Sequence, residues 1–117
     1  LLDEVYKAIH GNLNTLAAAG IRTIVDVTMT AKVGDRGTFG KTLGEFEQRG
    51  FIAPKHAEFL DKTIDAGNAS AHRAFTPTPK DLQLLMDIAE NLIESVFIYP
   101  DRMKEFSKRV PQRKKRK

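Results

Sequence analysis

The residues best suited to chemistry lie in "GNASAHR", Gly67 to Arg73. An imidazole titrates near neutral pH and can act as general acid or base. Asn68 stands four residues before His72. On a helix that spacing projects both side chains to one side, where the amide could position a hydroxyl or a phosphate oxygen. The structural alternative is that Asn68 caps a helix restarted after Gly67, while His72 bonds a carbonyl near the "TPTP" turn. Arg73 would sit about 100° further round the same helix. It is either a phosphate contact, to RNA or from a neighbouring chain, or a solvent-facing cation.

A second pair is Arg22 and Asp26, also four apart, within an otherwise apolar stretch. Burying a lone charge is costly, so an intrahelical ion pair is the simple expectation. The functional alternative is that Arg22 enters a cleft as an anion ligand, oriented by Asp26. Other chemistries find no support. His10 and His56 are isolated and read as surface or boundary residues. The three histidines share no metal-ligand spacing, and no cysteine is present. "GDRGTFGK" follows a helix rather than a strand, so it fails the context of a phosphate-binding loop. No cofactor is expected.

These residues must be held by helices, because no sustained strand alternation exists and helical periodicity recurs. "LDEVYKAIH" reads as a first helix, ended or bent at Gly11–Asn12. A second runs from about Leu13 to Val33, with Leu13, Leu16, Gly20, Ile21, Ile24 and Thr28 as one stripe, widened by Ala17, Ala18, Val25 and Met29. A helix apolar round most of its circumference belongs at the centre of a bundle. Thr38 caps a third helix that stops at Gly50, and Pro54 opens a fourth. Gly67 is expected to weaken or break the fourth. Thr78 and Pro79 start the last long helix, with Leu82, Leu85, Ile88, Ala89, Leu92, Ile93, Val96 and Phe97 at helical spacing and an expected end at Tyr99–Pro100. "DRMKEFSKRV" suggests one further short helix. The expectation is an all-α, up-and-down bundle of four to five helices over residues 1–100, followed by a short helix and a basic, disordered tail over 101–117.

The chain has 117 residues, enough for one core. No apolar run is long enough to span a bilayer, and the lack of cysteine fits a cytoplasmic compartment. The net charge of +4 is unevenly spread. Residues 1–100 carry −3 and residues 101–117 carry +7. Arg113, Lys114, Lys115, Arg116 and Lys117 form a terminal cluster of the kind that binds polyanions by releasing counterions, or that simply solubilises the end. It lacks the interleaved aromatics needed for base stacking.

Taken together, "GIRTIVD", "LGEFEQRGFI", "GNASAHR" and "TPKDL", in that order, resemble the bacterial domain-of-unknown-function family 4145, a HEPN-type group. The similarity covers roughly residues 10–98. It implies a helical bundle that pairs into a homodimer, and a role in defence or RNA-processing systems. In catalytic HEPN proteins an Arg, a polar residue and a His form a metal-independent ribonuclease site. The polar residue and the His match Asn68 and His72, whereas Gly67 stands in the place of the Arg. Relatives of this type carry a Cys-rich, zinc-ribbon-like segment ahead of the domain. The resemblance thus leaves two functions: a noncatalytic module binding RNA or a protein partner, and an endoribonuclease using Asn68 and His72.

Overall fold

A computed structural model describes residues 1–113. Helix α1 spans Leu2–His10, α2 Asn14–Val33, α3 Phe39–Gln48, α4 Pro54–His72, α5 Pro79–Ile93 and α6 Tyr99–Arg109. A π-helical segment, Glu94–Ile98, joins α5 to α6 without a break. The described residues therefore form an all-α bundle of five rods.

The rod ends follow the sequence chemistry. Asn12 takes φ 60° after α1, and Leu13 N–H reaches back to the Ala8 carbonyl at 2.8 Å. Gly50 does the same after α3, with φ 82° and Phe51 N–H bonded to the Phe46 carbonyl. Both are left-handed C-terminal stops that satisfy orphan carbonyls. Thr38 accepts a hydrogen bond from Lys41 N–H, as an N-cap should. At α5 the cap is reciprocal: Thr78 Oγ1 accepts from Asp81 N–H, and the Asp81 carboxylate accepts from Thr78 N–H at 2.9 Å. Thr78→Ala is therefore expected to lower stability by about 1 kcal/mol, read as a shift in the urea midpoint at unchanged slope.

Helix α2 is the central rod and packs against α1, α3, α4 and α5. Its buried set is Ala17, Ala18, Ile21, Ile24, Val25, Thr28, Met29 and Val33. The expected stripe is corrected at its start, where Leu13 and Leu16 are exposed. Ala17 and Ala18, expected to widen the stripe, hold the core there. Phe46, Ile21, Met29, Leu82 and Met86 are the large side chains at the centre.

Two expectations about helix ends are also corrected. Gly67 does not break α4, which runs unbroken from Pro54 to His72. Asn68 consequently lies inside the helix and caps nothing. Tyr99–Pro100 does not end the last long helix either. A proline within a helix removes one backbone bond and crowds the carbonyl four residues back. The wide turn over 94–98, in which Tyr99 N–H bonds to the Glu94 carbonyl five residues earlier, absorbs it.

Candidate functional site

The C-terminal half of α4 leans on α2 through Gly67. A Cβ at this position would lie 2.6 Å from Arg22 Cβ and 3.1 Å from the Ala18 carbonyl oxygen. Glycine inside a helix costs up to about 1 kcal/mol in propensity. Here the close approach of two rods requires it, which is why the helix continues through it.

Because α4 is unbroken, Asn68 and His72 do share a helix face. Asn68 is half-buried and His72 is exposed, as the last residue of α4. Ser70, between them, is buried, and its Oγ has no hydrogen-bond partner. Arg73 donates to the Asp65 carboxylate at 2.6 Å and to the Asp65 carbonyl at 3.0 Å. Both side chains are exposed, so the pair adds little stability. It does engage the Arg73 guanidinium on its own helix.

Arg22 is brought to this region by packing rather than by charge. Its stem covers Gly67, and its Nε is buried without a hydrogen-bond partner. The expected ion pair is not formed: among the described residues no salt bridge joins Arg22 to Asp26, and both are half-buried. Arg22 instead packs its stem on Gly67. That contact lies roughly 7 Å of helix rise short of His72. The structure thus packs Arg22 on Gly67, leaves Asn68 half-buried and Ser70 buried on the same stretch of α4, sets His72 at its exposed end, and turns Arg73 to Asp65. Arg113 is exposed beyond α6. Lys114, Lys115, Arg116 and Lys117 lie outside the described residues.

Sequence reasoning missed a groove on another side of the molecule. It encloses about 450 Å³ between the α3–α4 connection, the start of α4 and the outer face of α5. Phe51, Ile52, Phe59 and Ile88 give it apolar walls, with His56 and Asp87 among the polar lining. His56 stands 5.9 Å from the Phe59 ring. The signal was present: Phe59 lies off the α4 core stripe of Ala57, Leu60 and Ile64, and it is exposed. Away from the groove lining, Tyr6 donates to the Glu90 carboxylate and Tyr99 to Glu94. Each hydrogen bond raises the pKa of its tyrosine above the ordinary value. Among the described residues no group of three or more His, Asp or Glu could hold a metal, and no helix is long and apolar enough to cross a membrane.

A family model described as Domain of unknown function (DUF4145) matches residues 3–109. The chain belongs to this family. The DUF4145 match starts in α1 and ends on the last residue of α6. No curated protein and no solved structure matches the chain.

Proposed function

We propose that this DUF4145 domain is a noncatalytic, HEPN-like binding module, with RNA as its favoured ligand and a protein partner as the other, in a defence- or restriction-linked system. The observation that carries the noncatalytic part is the burial of Gly67 against Arg22 and Ala18. A ribonuclease of this type uses an arginine there to stabilise charge on the scissile phosphate, and losing such a donor raises a barrier by about 2.7–4 kcal/mol. Position 67 has neither a cation nor room for one. The choice of RNA rests on charge, since residues 101–117 carry +7 against −3 for the rest.

Single-stranded RNA incubated with the purified protein in EDTA should be bound and left intact. Cleavage abolished by His72→Ala would instead establish the ribonuclease reading. One observation favours that second reading: Arg22 covers Gly67 and so lies on the same stretch of α4 as Asn68. Truncation after Val110 removes five cations. On single-stranded RNA it should flatten the slope of log affinity against log salt by up to about 3.5, at about 0.7 per phosphate neutralised. An unchanged slope would exclude the tail as the RNA contact.

A further inference from the structure

Helix α6 buries nothing. Tyr99, Met103, Phe106 and Val110 stand 47%, 55%, 50% and 47% exposed. Within the helix the spacing of Tyr99, Met103 and Phe106 places them on one face, the rhythm of a coiled-coil seam, and Val110 follows four residues on, at the cap just past Arg109. The helix projects from the bundle, so the longest dimension is 63 Å and the radius of gyration 17.0 Å, against about 13 Å for a compact chain of this length.

The outer face of α5 carries the same rhythm. Leu84, Ile88, Asn91 and Ser95 are spaced four, three and four apart, and the last three line the groove. The π segment aligns the two faces. In an uninterrupted α-helix the α6 stripe would continue the core stripe of Leu82, Met86, Ala89, Leu92 and Val96. One residue inserted in the wide turn over 94–98 rotates α6 by about 100°. That rotation puts Tyr99, Met103, Phe106 and Val110 in line with the groove face instead.

We propose that α6 is an exchanged arm of a two-fold dimer, lying antiparallel along α5 of a second copy with its apolar stripe in that copy's groove. An isologous interface requires one surface to complement itself. Reflected about residue 97, Tyr99 meets Ser95, Met103 meets Asn91, Phe106 meets Ile88 and Val110 meets Leu84. The flanking positions then pair by charge: Arg102 falls opposite Glu94, and Arg109 opposite Asp87. The segments are oppositely charged as wholes, with −3 over residues 79–95 and +2 over 99–110. Parallel pairing of α6 with α6 would set Arg102 against Ser107 of the second copy, a g-to-e contact in which no opposite charges meet. This dimer stands whether or not RNA is the ligand.

The absence of cysteine makes the test direct. In Leu84→Cys/Val110→Cys protein, a short bis-maleimide should give a covalent dimer, and Val110→Cys alone should not. The unmodified chain should run by light scattering at twice its 13.1 kDa mass. Asp87→Arg should raise the dimer dissociation constant about a hundredfold, since two contacts worth about tenfold each are lost. Adding Arg109→Asp to the same chain should restore it. Asp87 and Arg109 are exposed, so circular dichroism should show unchanged helix content in both variants. A chain that stays at single mass at 100 µM, Val110→Cys crosslinking to itself, or no recovery in the double-charge variant would each overturn the proposal.

Discussion

Gly67→Ala should destabilise the bundle by up to about 2 kcal/mol net, although alanine is the better helix former. Two effects compete. Helix propensity favours alanine by about 1 kcal/mol in a helix interior. Against this, the new Cβ would meet Arg22 Cβ at 2.6 Å and the Ala18 carbonyl oxygen at 3.1 Å. Neither is the far end of a flexible side chain, so α2 and α4 must move apart, and overpacking of this kind costs about 1–3 kcal/mol or more. Steric cost wins because α2 is the rod on which the others pack. Gly44 is the control. It lies within α3, and nothing stands within 4 Å of its Cβ position. Gly44→Ala should therefore gain up to about 1 kcal/mol. Urea denaturation of the two variants should move in opposite directions, and a shift of equal sign would refute the close-approach argument. The same geometry means that Gly67→Arg should unfold the domain rather than create a nuclease.

Phe46→Ala should have the larger effect, about 3–5 kcal/mol, as expected for a buried aromatic reduced to a methyl group. Its ring is fully buried and stacks on Phe51, with centroids 4.9 Å apart. The loss is a sizeable share of the 5–15 kcal/mol that typically holds a domain together. It also removes support from Phe51, which forms one wall of the groove. If α6 of a second copy occupies that groove, the variant should lose dimer as well as stability. A thermal midpoint within a degree or two of the parent would show that the ring can be replaced by local collapse.

Much of the fold was legible in the order of residues because its signals are local. Thr38, Thr78 with Asp81, Pro54 and Gly50 mark helix ends through contacts with their own neighbours, and these ends lie where such chemistry puts them. The misreadings share one cause. Gly67 and Pro100 are breakers by local propensity, yet one is retained by a rod packed against it and the other is absorbed by a wide turn. Leu13 and Leu16 have the hydrophobicity of core residues, but no neighbouring rod covers them.

The candidate site divides in the same way. That Asn68 and His72 share a face follows from helical periodicity alone once the helix is continuous. That Arg22 lies on Gly67, and that Arg73 reaches Asp65 eight residues back, depends on which surfaces meet. Likewise, the 4-3-4 rhythm of α6 is written in the sequence, whereas the groove and the one-residue phase shift that faces the stripe toward it exist only once the rods are packed. Periodicity, caps and charge segregation act within a few residues, so the chain alone determined its helices and its basic end. Which polar groups are buried, paired or left open is set by distances between residues far apart in sequence, and only the tertiary structure decided them.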